Sequence, residues 1–149
     1  MKIVKIIQWD MGHRVLNHRS VCKGLHGHRY KAEICMQGDI VEKPGASEEG
    51  MVVDFADIKK IANTFIQEKL DHAFMVWEKD FELLTFFKNS EGHKPVIVPF
   101  TSTAENVASY IFNELNGKFI DAFGTGLKLH SIKLWETPTS YAIYEIGNS

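Results

Sequence analysis

Two histidines, His26 and His28, stand two residues apart at the start of a strongly alternating segment, and this pattern constrains the fold more than any other. After them, apolar residues alternate with polar ones: Tyr30, Ala32, Ile34 and Met36 against Arg29, Lys31, Glu33 and Gln37. Such alternation predicts a β-strand with one face in the core. Because side chains two apart in a strand share a face, both imidazoles are predicted to point inward at the end of that face.

A preceding segment, Ile3 to His13, predicts a first strand that brings a third imidazole to the same place. Most of its odd positions are apolar, and His13 continues that face. If the two strands are neighbours, three neutral imidazoles can hold zinc with a fourth position open for substrate. Cys22, four residues before His26, would then lie near the ion, either as a fourth ligand of a closed structural site or as a free thiol.

The other elements complete an α+β pattern. Apolar residues at helical spacing predict a helix from an Asp54 N-cap to Leu70, and a second one begins at Thr103, is capped by Ser102 or Thr103, and ends near Gly117. Two further segments predict a short helix over 78–88 and a closing hairpin of Lys128–Glu136 and Ser140–Ile146. We expect a ββααββ order, with two helices on one face of a four-stranded antiparallel sheet.

Size and charge narrow the class of protein. The 149 residues, 44% of them hydrophobic, suit one domain spanning 1–149. A net charge of -2 without any lysine/arginine-rich run argues against nucleic acid and leaves a small molecule as the expected partner. The sequence has neither a signal-peptide pattern nor eighteen consecutive apolar residues, so we expect a cytoplasmic protein without a membrane span. Cys22 and Cys35 are then expected to be free thiols.

Four segments in this order carry a resemblance to a known family: Trp9-Asp-Met-Gly-His13, Cys22-Lys-Gly-Leu-His-Gly-His28, Asp54-Phe55 with Leu70-Asp-His72, and Thr103-Ala-Glu105 followed by Trp135-Glu136-Thr137. The chain resembles the 6-pyruvoyl-tetrahydropterin synthases and the bacterial 6-carboxy-5,6,7,8-tetrahydropterin synthases that feed queuosine synthesis. The resemblance implies the tunnelling fold, in which four-stranded sheets from several subunits close into a barrel, usually as a homohexamer of two trimers.

The same resemblance assigns roles to the metal and proton-transfer residues. It implies that His13, His26 and His28 hold Zn2+ and that Cys22 moves protons on the substrate side chain. The Asp71-His72 pair is implied to approach that cysteine across a subunit interface, with the histidine as base or relay. By their position alone, these two residues are equally explained as charges at the end of a helix.

The resemblance also implies that Glu136 and two residues at the start of a helix bind the substrate. Glu136 follows Ile132 and Leu134 on the inward face of a strand, where a carboxylate could accept two hydrogen bonds from the pterin ring; a solvated glutamate before a hairpin is the alternative. In the family a Thr-x-Glu segment lines the pterin pocket, and the resemblance places Thr103 and Glu105 there. A capping box from Ser102 to Glu105 would explain them equally well.

The implied function is that of a zinc-dependent lyase. It would convert 7,8-dihydroneopterin triphosphate into 6-carboxy-5,6,7,8-tetrahydropterin, triphosphate and acetaldehyde for queuosine or another 7-deazapurine. A 6-pyruvoyl-tetrahydropterin synthase acting on the same substrate is the nearest alternative. Two other classes remain open: a non-catalytic zinc-stabilised binding module in which Cys22 completes a closed tetrahedron, and a metal hydrolase in which zinc activates water.

Overall fold

The computed structural model describes residues 1–147, which contain six strands and three α-helices. The strands are β1 Lys2–His13, β2 His26–Gln37, β3 Ala73–Trp77, β4 Pro95–Val98, β5 Lys128–Thr137 and β6 Ser140–Glu145. The helices are α1 Phe55–Phe65, α2 Phe81–Lys88 and α3 Ala104–Phe123. A 3-10 turn over Val21–Lys23 precedes β2, and a π-helical turn over Ile66–Leu70 continues α1.

The predicted four-stranded antiparallel sheet is present as the series β1-β2-β5-β6, but it is not the whole sheet. The full order is β4-β3-β1-β2-β5-β6, because β3 pairs in parallel with β1 and β4 in parallel with β3. The predicted strand count was therefore wrong, since two parallel strands extend the four antiparallel ones, whereas the two long helices and the short helix near 78–88 are present. Strands β3 and β4 are five and four residues long. The continuous apolar run of β3 is typical of a buried parallel strand and shows no alternation to detect.

Helices α1 and α3 cover one face of the sheet. The first turn of α1 is capped as predicted, since the Asp54 carboxylate accepts a hydrogen bond from the N–H of Ala56 at 2.7 Å. The core lies between these helices and the inward residues of the strands. Its largest fully buried side chains include Trp9, Tyr30, Phe119, Ile34, Met36, Ile58, Ile66, Leu70, Met75, Ile111, Leu115 and Leu129.

Helix α3 departs from the prediction at both ends. It continues past Gly117 to Phe123, and Gly124, with φ 71°, ends it. A glycine inside a helix costs about 1 kcal/mol relative to alanine, a cost that tertiary packing readily outweighs, and Phe119 on the following turn is completely buried. At the other end Thr103 occupies the N-cap position without a side-chain hydrogen bond to the helix, so the predicted capping box does not form.

Candidate metal centre and active site

Strands β1 and β2 meet at the end where the three predicted metal ligands lie. In their antiparallel register His13 stands opposite His26, and Met11 stands opposite His28. All three imidazoles therefore project from the core-facing side, with ring centroids 4.5 Å (His13 to His26), 5.1 Å (His13 to His28) and 5.0 Å (His26 to His28) apart. The phase of the alternation predicted this convergence correctly.

A fourth potential ligand comes from β5. Glu136 extends the inward face of β5 beyond Leu134, and its Oε1 lies 3.1 Å from the Nε2 of His28 and 3.6 Å from the Nε2 of His13. One ligand atom from each of His13, His26, His28 and Glu136 falls within 4.8 Å of the others. Within residues 1–147, the Sγ of Cys22 is not part of this cluster.

The donor set and its hydrogen bonds fit zinc. Nδ1 of His13 donates to the Ser102 carbonyl at 2.7 Å, and Nδ1 of His26 donates to the Gly24 carbonyl at 2.8 Å. A carbonyl only accepts, so each bond leaves Nε2 as the ligand nitrogen, which is how zinc-binding histidines are commonly fixed. The Nε2 atoms of His13 and His28 are buried and make no hydrogen bond of acceptable geometry, although Glu136 is close to both. Such orphaned nitrogens are what a bound cation would satisfy.

Burial disfavours the charged form of two of these histidines, His13 and His28, and metal ligation requires the neutral ring. The pKa of His13 falls from its usual 6.5 to about 4, first because the ring is desolvated and further because His26 and His28 would repel a second positive charge. Burial also lowers the pKa of His28, against the opposing effect of Glu136. Neutral imidazoles at neutral pH are ready to bind Zn2+ without displacing a proton.

The His13 shift predicts a pH dependence of stability in the metal-free protein. Below pH 6.5 the unfolded chain takes up a proton at this residue, whereas the folded chain does so only near pH 4, so the free energy of unfolding decreases as the pH falls through this range. His13 alone should make the protein about 2 kcal/mol less stable at pH 5 than at pH 7. Urea unfolding with a chelator, compared with His13→Gln, measures this term. Equal pH slopes in the two proteins would contradict it.

Cys22 lies in the 3-10 turn that leads into β2. The turn is held by the N–H of Val15, which donates to the Cys22 carbonyl at 2.8 Å, and the side chain is free and half-buried. Cys35 is also free, but it is buried in β2. In the described residues no hydrogen bond joins the Cys22 thiol to the histidine cluster, and the thiol is not one of the ligand atoms of that cluster.

The side chains of Asp71 and His72 pair with each other at the end of the π-helical turn. Asp71 accepts hydrogen bonds from the N–H of Asp10 at 3.1 Å and pairs with Nδ1 of His72 at 3.0 Å. Desolvation acts to raise the pKa of Asp71, but the Asp10 N–H and the His72 ring together outweigh it and hold the pKa below its usual value. The carboxylate therefore stays charged and fixes the His72 ring.

His72 itself is exposed and strained. Its side chain is 79% accessible, and its φ of 58° is the one positive value among the described non-glycine residues. Left-handed backbone in a residue with a Cβ is uncommon, and such outliers concentrate at functional sites. The exposed ring opens into a cleft of about 510 Å³ that is also lined by Asp10, His28 and Arg29.

Thr103 and Glu105 lie at the start of α3. Glu105 is exposed in the first helical turn and makes no hydrogen bond or ion pair within the described part of the chain, so one copy of the chain does not bring it to the cluster. The neighbour that does reach the metal centre is Ser102, through its carbonyl. From the sequence, Ser102 was predicted only as a helix cap, because a backbone contact between residues 89 positions apart leaves no sequence signal.

Comparison with known proteins assigns the family. The sequence matches the 6-pyruvoyl tetrahydropterin synthase family over residues 2–147. The chain belongs to this family. It is 38% identical to the 6-carboxy-5,6,7,8-tetrahydropterin synthase of Haemophilus influenzae over 147 residues, covering 97% of this chain and 98% of that protein. The synthase of the same name from Rickettsia felis is 34% identical over 141 residues, covering 95% and 97%.

Two solved structures share the fold. An uncharacterized protein from Wolinella succinogenes superposes with a TM-score of 0.77 at 25% identity, over 98% of both chains. The 6-pyruvoyl tetrahydropterin synthase of Caenorhabditis elegans gives a TM-score of 0.66 at 24% identity, over 97% of this chain and 94% of that one. The α+β architecture with its mixed sheet is therefore the one found in 6-pyruvoyl tetrahydropterin synthases. In residues 1–147, no helix is long and apolar enough to cross a membrane.

Proposed function

We propose that the protein is a zinc-dependent 6-carboxy-5,6,7,8-tetrahydropterin synthase, a lyase that converts 7,8-dihydroneopterin triphosphate and one water molecule into 6-carboxytetrahydropterin, acetaldehyde and triphosphate. The observation that carries this proposal is the convergence of His13, His26, His28 and Glu136, in a chain 38% identical to a synthase of that name over nearly its full length. The product would serve queuosine or another 7-deazapurine pathway.

Three residues would hold the ion and a fourth the heterocycle. His13, His26 and His28 are proposed as the zinc ligands, because their ligand nitrogens converge and because backbone carbonyls leave Nε2 of His13 and His26 free to bind. Zinc, when bound, would supply a Lewis acid that polarises an oxygen of the substrate side chain and acidifies the neighbouring C–H bonds. Glu136 is proposed to accept paired hydrogen bonds from the pterin, which would place the side chain of the substrate beside the histidines.

The space next to Glu136 suits such a ligand. A cleft of about 460 Å³ is lined by Gln8, Arg29, Lys31, Trp135 and Thr137 together with His28 and Glu136. Its volume is within the usual range for small-molecule sites, and it combines one aromatic ring with cations and one carboxylate. Thr103 and Glu105 are proposed to complete the pterin pocket, which in this arrangement requires a neighbouring copy of the chain.

Proton transfer is proposed to involve two chains. Cys22 would move protons on the substrate side chain, with His72 as base or relay and Asp71 fixing its ring. Within residues 1–147, Cys22 is not among the residues that line the cleft of about 510 Å³ beside His72, which favours a contact between chains as the way to bring the two together. Strands β4 and β6 both lie at sheet edges, where unpaired backbone groups can pair with another chain. A barrel closed by several copies, as in the tunnelling fold, would join the two halves of the site.

Product analysis tests the reaction. Purified protein loaded with zinc is incubated with 7,8-dihydroneopterin triphosphate, and the products are identified by mass spectrometry. We expect 6-carboxytetrahydropterin with one equivalent each of acetaldehyde and triphosphate. A pyruvoyl product without acetaldehyde would assign the protein to 6-pyruvoyl-tetrahydropterin synthase activity instead. If the metal-loaded protein consumes no substrate, the lyase proposal fails.

A further inference from the structure

One residue outside the metal cluster contacts two consecutive residues at the end of β1. The Ser102 carbonyl accepts a hydrogen bond from Nδ1 of His13 at 2.7 Å, and the Ser102 hydroxyl donates to the Arg14 carbonyl at 3.2 Å. Ser102 is 1% exposed, so water has little access to its carbonyl or its hydroxyl. Ser102, which precedes α3, is therefore hydrogen-bonded to the end of β1, the strand that carries His13.

The side chain of Arg14 links the end of β1 to the start of α2. Its Nε and Nη2 donate to the two carboxylate oxygens of Asp80, both at 2.6 Å, and Nη2 also lies 2.8 Å from Glu82. Asp80 is 2% exposed and also accepts from the N–H of Leu83 at the start of α2. A bidentate pair between arginine and carboxylate fixes both distance and angle. Glu82, by contrast, is 79% exposed, so its contact with Arg14 is open to solvent.

These contacts determine how His13 presents its second nitrogen. Because a carbonyl only accepts hydrogen bonds, Nδ1 must carry the proton, and Nε2 is left unprotonated toward His28 and Glu136. The orientation of the ring depends on where the Ser102 carbonyl lies. That position depends in turn on the Ser102 hydroxyl bond to Arg14 and on the Asp80 carboxylate that holds Arg14 in place.

We propose that Ser102, Arg14 and Asp80 are positioning residues for the metal centre, which act through the Ser102 carbonyl to hold the His13 ring in the tautomer and orientation that zinc binding requires. None of the three is itself a ligand in the cluster. The proposal rests on the zinc site of the proposed function but not on the reaction. Their removal should weaken zinc binding while the three ligand histidines remain intact, and partners of this kind are typically worth about 10- to 100-fold in metal affinity.

Zinc affinity of the folded protein tests this inference without substrate. The dissociation constant is measured by competition with a chromophoric chelator for wild type, Ser102→Ala and Asp80→Asn, well below each melting temperature. We expect both variants to bind zinc at least about tenfold more weakly. Glu82→Gln is the matched control, since it removes the exposed partner of the same guanidinium, and its affinity should stay within about twofold of wild type.

Melting temperatures distinguish positioning from a purely structural role. If Ser102→Ala and Asp80→Asn melt earlier but bind zinc as tightly as wild type, these residues only stabilise the fold and the inference is overturned. Should Asp80→Asn fail to fold, Ser102→Ala decides alone, because it removes one hydroxyl and no charge. Since only zinc is added, a negative product assay would leave this result unaffected, and an unchanged affinity would leave the lyase proposal standing.

Discussion

Replacement of Cys22 by alanine is expected to reduce turnover of 7,8-dihydroneopterin triphosphate by at least about a hundredfold, the usual lower bound for losing a proton-transfer group. The variant should still bind one zinc ion per chain, because the Cys22 thiol lies outside the cluster of ligand atoms. Turnover and zinc content by mass spectrometry are measured on the same preparation. Cys35→Ala is the matched control: it removes the other free thiol, which is buried in β2, and should leave turnover near that of wild type.

Two other results for Cys22→Ala would contradict a role for the thiol in proton transfer. If Cys22→Ala loses its zinc together with its stability, the thiol is a ligand and the chain is a zinc-stabilised module with a closed site. If it keeps both zinc and turnover, Cys22 has no role in the chemistry.

Mixing two inactive variants extends this prediction to the subunit interface. Cys22→Ala and His72→Ala are each expected to be inactive alone. Refolded together in equal amounts, they should recover about one quarter of wild-type turnover, because one interface in four then joins an intact cysteine to an intact histidine. Recovery identifies a site shared between chains. If the mixture stays as inactive as its components, the proposed shared site is wrong.

The second large effect is expected from the metal ligands themselves. His28→Ala should weaken zinc binding by about two orders of magnitude or more and abolish turnover, because three protein ligands are the minimum of a catalytic zinc site. Zinc content after dialysis and the dissociation constant measure the change. His93→Gln removes an exposed histidine outside the cluster and should retain both properties. Full zinc occupancy in His28→Ala would contradict the assignment.

Glu136→Gln separates the two possible tasks of that carboxylate. A residue that binds only the pterin should leave zinc affinity unchanged and raise KM, since the amide can no longer accept two hydrogen bonds. A fall in zinc affinity would instead make Glu136 a fourth ligand, which its 3.1 Å approach to His28 permits.

The features that could be predicted from sequence were those with a period. Alternation along β1 and β2 was long enough to give the phase of His13, His26 and His28, and with it the convergence of their rings. The closing hairpin, the Asp54 cap and the helix around Phe81 were confirmed for the same reason: each has a local signature. The resemblance to the family was confirmed by a match over residues 2–147.

The features that were missed depend on contacts distant in sequence. Strands β3 and β4 are too short to display a period, and their parallel pairing is made across α2. Ser102 was assigned to the helix that follows it, whereas its hydroxyl and carbonyl both bond to the end of β1. Gly117 suggested a helix end that the buried residues of the next turn override.

The left-handed backbone of His72 lowers the stability of the fold at a position that carries an imidazole. Glycine would occupy that conformation without the penalty of about 1–2 kcal/mol that a Cβ imposes, so this position was not optimised for robustness. What glycine lacks is the imidazole, whose side chain is 79% accessible in this conformation. Under the function proposed above, the resistance to unfolding that is lost here would be exchanged for an exposed imidazole that can carry protons.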